Sequence, residues 1–146
     1  MKTLLDEYLD KCAEHFTDAF LNEYSIMGLG DAVELLTGES NDGYALSAFV
    51  VTSGGVDSIG SPYGAAAIFR DDVQEKLVWL FEGDFFILPS SVHEVIVMKY
   101  DPTRTAELTE IVRNVNKSEV APDDFLSDEL YVYSSEKKRI VHSSEV

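Results

Sequence analysis

Two short apolar runs limit what this chain can fold into more than any other feature. Phe85-Phe86-Ile87-Leu88 is stopped by Pro89, and Val95-Ile96-Val97-Met98 follows soon after the Ser90-Ser91 turn. Each is shorter than a helix needs, and aromatic and β-branched residues fit a pleated, buried surface. The second run, within Val92 to Tyr100, reads as a central strand. A turn this short joins antiparallel neighbours more readily than parallel ones.

The flanking sequence supplies the other elements. Residues 3–24 place Leu5, Tyr8, Leu9, Cys12, Phe16, Ala19 and Phe20 at spacings of three and four, which predicts one amphipathic helix capped by Thr3. Gly28-Leu29-Gly30 breaks it. A short helix is expected over Ala32 to Thr37, closed by Gly38, before the polar turn Glu39 to Gly43. Tyr44 to Thr52 reads as a strand and Ser53 to Pro62 as a loop. Tyr63 to Phe69 reads as a second strand; its Gly64 and three alanines leave little bulk, so something should pack close against it.

Asp71 or Asp72 is expected to cap a helix that buries Val73, Leu77, Leu80 and Phe81 and ends at Gly83. Asp101-Pro102 opens another, with proline where its missing N–H costs nothing and Leu108, Ile111, Val112 and Val115 on the buried side. After a loop over residues 120–126, Leu130 to Tyr133 and Arg139 to His142 should close the chain as a hairpin. The fold class that results is α+β: a mostly antiparallel sheet with helices on one face, preceded by an N-terminal amphipathic helix. Residues 1–43 form the helical segment and 44–146 the α+β domain, packed together as one unit.

Several sequence blocks carry a resemblance. Gly64 to Ile68, Asp84 to Val97 with its Ile-Leu-Pro-Ser-Ser-x-His-Glu core, Val112 to Asn116, Glu119 to Pro122, Leu126 to Asp128 and Tyr131 to Tyr133 keep a set order and spacing. Over roughly residues 44–141 the chain resembles a domain family of unknown function found on prophages and conjugative elements of gut bacteria. Residues 1–43 look different from that family's usual start. The resemblance implies no activity or cofactor; it implies an accessory protein of a mobile element.

Charge narrows the partners. With 27 acids against 11 Lys and Arg the net charge is −16, which repels nucleic acid and anionic membrane and favours a basic protein partner. The same acidity also serves solubility, and homo-oligomerisation stays open. A 45% apolar content is enough for a core despite the charge. Cys12 is the one cysteine, so no internal disulfide forms; no apolar run approaches membrane-spanning length, and the acidic start is no signal peptide. A soluble, cytoplasmic protein is expected.

No catalytic, metal or cofactor constellation emerges. His93-Glu94 lacks the second histidine of a zinc protease, because position 97 is valine. Ser90, Ser91, His93 and Glu94 place hydroxyls near an imidazole and a carboxylate, a hydrolase or small-molecule alternative. Residues adjacent on a strand point to opposite faces, however, which favours a structural turn. Cys12 and His15 are two potential ligands where structural zinc wants four. The glycine pairs at 28–30 and 54–55 match no phosphate loop. The polar cluster Asn114, Asn116, Glu119, Asp123, Asp124, Ser127 and Asp128 has no EF-hand spacing and reads as loop and cap chemistry.

The acidic side of the first helix is more informative. Asp6, Asp10, Glu14 and Asp18 follow one another at i, i+4, with Glu7 alongside. They form the expected partner-binding surface of a non-enzymatic protein that inhibits a basic, nucleic-acid-handling host defence protein. One acid per turn is a charge every ~6 Å, against one per ~1.7 Å of duplex axis. Imitating a phosphate backbone therefore needs a second row, from Asp71, Asp72 and Glu75 or from Asp123, Asp124, Asp128 and Glu129. The alternative is an accessory or structural domain whose acidity only solubilises it.

Overall fold

The computed structural model describes residues 3–21, 23–28, 48–53, 63–89, 91–118 and 125–145. The expected short helix at 32–37, the start of the strand at 44, the glycine loop after Ser53, Ser90, and residues 119–124 lie outside them.

Helix α1 spans Leu4–Leu21. Thr3 and Asp6 cap it reciprocally: each backbone N–H donates to the other's side-chain oxygen at 3.1 Å. Leu4, Tyr8, Cys12 and Ala19 are buried, while Leu9, Phe16 and Phe20 pack against the core from its edge. The helix is not the single regular one expected. Cys12 leaves helical geometry (φ −151, ψ 42), and its thiol donates to the Tyr8 carbonyl at 3.3 Å. A side chain that bonds back to the i−4 carbonyl competes with the helix ladder and bends it.

Among the described residues, six strands form one antiparallel sheet: β1 (Tyr24–Gly28), β2 (Ala48–Ser53), β3 (Phe85–Leu88), β4 (Val95–Lys99), β5 (Tyr131–Ser134) and β6 (Arg139–His142). Their spatial order is β1-β2-β4-β3-β5-β6. Val97 of β4 sits opposite Phe49 of β2 on one side and Ile87 of β3 on the other, so the two apolar runs do occupy the centre. Val132 of β5 pairs with Phe86 of β3 and with Val141 of β6.

The segment expected as a strand over Tyr63 to Phe69 is instead a 3₁₀ helix, Gly64–Phe69, entered through Tyr63 in the left-handed region (φ 60). Glycine and alanine are poor strand formers, and small side chains let this turn lie flat on the sheet. Ala65 donates its N–H to the Val92 carbonyl at 3.1 Å, and Gly64 through Ile68 are buried. The expected close packing holds; the strand does not.

Helix α2 (Asp71–Phe81) begins one residue earlier than expected, with Arg70 at the cap position and Asp71 and Asp72 in the first turn, and it ends in Glu82 (φ 60) and Gly83. Helix α3 (Thr105–Ser118) follows a 3₁₀ turn at Pro102–Arg104. Asp101 caps that turn, accepting from the Thr103 N–H at 2.9 Å and its hydroxyl at 2.7 Å.

The α+β class and antiparallel sheet are as read from the sequence, but the helices divide between the two faces. Phe85, Ile87, Val95, Val97, Tyr131 and Tyr133 share a core with α1, the 3₁₀ helix and α2. Phe86, Leu88, Met98 and Val132 face the other way, onto Leu108 and Val112 of α3. Strands apolar at successive positions need cover on both sides, at roughly 1.5–3 kcal/mol for each large side chain buried. Ile111, expected inside, is 39% exposed at the margin of α3.

Candidate functional site

The acidic side chains of α1 have different tasks. Asp6 is half of the cap. Glu7 accepts a 2.9 Å hydrogen bond from the Tyr131 hydroxyl, tying α1 to β5. Burial, and then Glu7, pushes the Tyr131 phenol well above its ordinary range. Asp10, Glu14 and Asp18 are exposed; Glu14 lies 3.5 Å from the His15 ring. The bend at Cys12 falls between Asp10 and Glu14, so the row is two short pieces and not one straight ridge.

The Ser91–His93 turn is tied down by hydrogen bonds. Ser91 is buried and its Oγ accepts from the His93 backbone N–H at 3.0 Å. The His93 carbonyl accepts from the Thr52 hydroxyl at 2.8 Å. Its ring Nδ1 accepts from the Tyr63 N–H at 2.9 Å, which sets the ring proton on Nε2. Tyr63 stacks flat on His15, centroids 3.8 Å apart, and its carbonyl accepts from the Tyr8 hydroxyl at 2.7 Å. Burial, first, and then Cys12 drive the Tyr8 phenol upward, and burial likewise raises the Cys12 thiol. His15, Tyr63, His93 and Tyr8 thus clamp α1 to the sheet through the left-handed residue that starts the 3₁₀ helix. Of the two residues weighed as metal ligands, His15 stacks in this clamp and Cys12 bonds the Tyr8 carbonyl. Among the described residues, no group of three or more His, Cys, Asp and Glu side chains is placed to hold a metal ion.

Ser127 and Glu129, just before β5, are also held internally. Ser127 is 1% exposed; its N–H donates to the Pro89 carbonyl at 3.0 Å, and its hydroxyl accepts from the Glu129 N–H at 3.1 Å. Glu129 meets His142 at 3.1 Å and Arg113 at 3.7 Å.

Two surface features were not foreseen as sites. One is an open cleft of about 420 Å³ between the start of α1, α2 and the β5–β6 hairpin. Leu4, Phe69 and Ile140 make its apolar wall, and Asp71, Glu145, Lys138 and Arg139 bring charges of both signs. The other is Trp79, 76% exposed on α2. Its outward position was legible, because it falls off the stripe of Val73, Leu77, Leu80 and Phe81. On α2 and just after it, Asp71, Glu75, Glu82 and Asp84 make no ion pair among the described residues, though Asp84 accepts from the Ser135 N–H at 2.9 Å and hydroxyl at 2.6 Å. Arg70 is taken by Asp72 through two contacts, 2.9 and 3.0 Å. No described helix is long and apolar enough to cross a membrane.

No curated protein and no solved structure matches the chain. Residues 6–135 match the model of a family of unknown function, DUF5688. The match takes in α1 and so reaches well before residue 44, where the resemblance read from the sequence blocks began. The chain belongs to this uncharacterised family, DUF5688.

Proposed function

We propose that the chain is a non-catalytic binding protein that docks through its acidic surface on a basic, nucleic-acid-handling protein. The observation that carries this reading is that Asp71, Glu75 and Glu82 around α2 are exposed and make no ion pair among the described residues, in a chain of net charge −16. Asp10, Glu14 and Asp18 on α1 and Asp71, Asp72 and Glu75 on α2 supply the two acidic rows, on helices that pack on the same sheet face. Among them, Asp72 is already engaged by Arg70 and Glu14 by His15. Long-range attraction speeds encounter with a positive surface and selects against acidic ones. The resemblance to domains of prophages and conjugative elements supports a cytoplasmic setting and an inhibitor's role against a host defence protein.

The test is capture from a bacterial host lysate by the immobilised chain, beside an Asp10→Lys/Asp18→Lys/Glu75→Lys variant. We expect basic nucleic-acid-binding proteins that elute as salt rises and are lost by the variant. The opposing result is one set of captured proteins for both chains at every salt concentration. That would leave a domain whose acidity serves solubility alone.

A further inference from the structure

Trp79 is the one tryptophan in the chain and the most exposed large apolar side chain among the described residues, at 76%. It does not sit at the edge of a buried stripe. At about 100° per residue, Trp79 projects near the middle of the outward arc of α2, within ~20° of Asp72 and ~40° of Glu75. Lys76 lies on the opposite flank. Residues 70–84 hold five acids and two bases, and one of those bases, Arg70, is neutralised by Asp72. Glu75, one turn before Trp79, and Glu82, three residues after it, are exposed and make no ion pair among the described residues. Large exposed aromatics are expensive in water and are enriched at the energetic centres of interfaces.

An exposed indole with a carboxylate one turn away on the same helix face is the complement of a guanidinium. Arginine is planar and weakly hydrated, stacks on tryptophan and donates in a fork to carboxylates; lysine does neither as well. We propose that the outward face of α2 docks an arginine-rich segment of the partner protein, with one arginine stacked on Trp79 and held by Glu75. This rests on the reading of the chain as an acidic binding protein and names the centre of its contact surface.

Because no other tryptophan is present, intrinsic fluorescence reports on this face alone. The probes are a short peptide of alternating arginine and glycine and its lysine counterpart. We expect the arginine peptide to shift Trp79 emission saturably and to bind several-fold tighter than the lysine peptide. Glu75→Gln/Glu82→Gln should weaken it about tenfold. Trp79→Ala, followed by calorimetry with circular dichroism as the check on folding, should erase the preference for arginine. Equal binding of the arginine peptide by wild type and Trp79→Ala would overturn this site while leaving the acidic-surface reading in place. Failure of wild type to bind either peptide at low salt would overturn both. Self-association that Trp79→Ala abolishes would assign the face to a second copy and also overturn the proposal.

Discussion

Replacing Gly64 with alanine tests the clamp that seats the 3₁₀ helix on the sheet. A Cβ built there meets the Thr52 hydroxyl, the His93 carbonyl at 2.7 Å and the Ser53 nitrogen at 2.8 Å. Two of the three are backbone atoms, which no rotamer change can move aside. Forcing one methyl into such a site costs about 1–3 kcal/mol. Displacing the Thr52–His93 hydrogen bond, 2.8 Å long, adds roughly 0.5–1.5 kcal/mol. The sum is about 3 kcal/mol, or ~6–12 °C in Tm for a domain of this size. Gly83→Ala is the control: its φ is +153, but open space surrounds it, so only backbone strain remains, about 1 kcal/mol. Urea unfolding of the two variants and wild type gives both values if the m-value holds. A Gly64→Ala midpoint equal to wild type, or a smaller loss than for Gly83→Ala, would refute the close approach.

Three further outcomes follow from other contacts. Ser91→Ala should lower stability by about 1 kcal/mol, through the lost hydrogen bond to the His93 N–H, and leave partner binding unchanged; retained stability with lost binding would move the site to this turn. Tyr131→Phe should cost roughly 1–2 kcal/mol, since a hydrogen bond to the Glu7 carboxylate is lost. The wild-type phenol is raised in the folded state, so its contribution is whole below the unfolded value near ~10 and falls as pH rises further. Tyr131→Phe should therefore lose stability less steeply above about pH 10, and parallel curves would contradict this. Asp72 is lowered, chiefly by its hydrogen bonds to Arg70, so its stabilisation is present above about pH 4 and fades as acid protonates the folded state. Asp72→Asn should flatten that part of the acid unfolding curve.

The parts of the fold legible in the sequence are those whose cause is local. The stripe of α1, the period of α2, the Asp101-Pro102 helix start and the runs at Phe85 and Val95 each declare their element through spacing or composition. Gly64 to Phe69 misled because Ile68 and Phe69 resemble strand residues, whereas Ala and Gly take their conformation from what they pack against. The bend at Cys12 depends on a thiol reaching the Tyr8 carbonyl, which no pattern of apolar residues encodes. That helices cover both faces was implicit in strands apolar at successive positions. On the surface, the acids were visible, but Glu7's tie to Tyr131 and the His15–Tyr63–His93 clamp join residues far apart in sequence. The outward position of Trp79 was visible, because it falls off the apolar stripe of α2.

The central claim is that charge on this chain is used to bind, and the salt dependence of a complex measures it directly. For a basic protein captured by the chain, affinity would be followed by calorimetry from low salt to well above ~0.15 M, where the Debye length is about 8 Å. Affinity should fall steadily with salt for wild type, and Glu75→Gln/Glu82→Gln should start weaker and fall less steeply. An affinity indifferent to salt, and equal in the two chains, would contradict the claim.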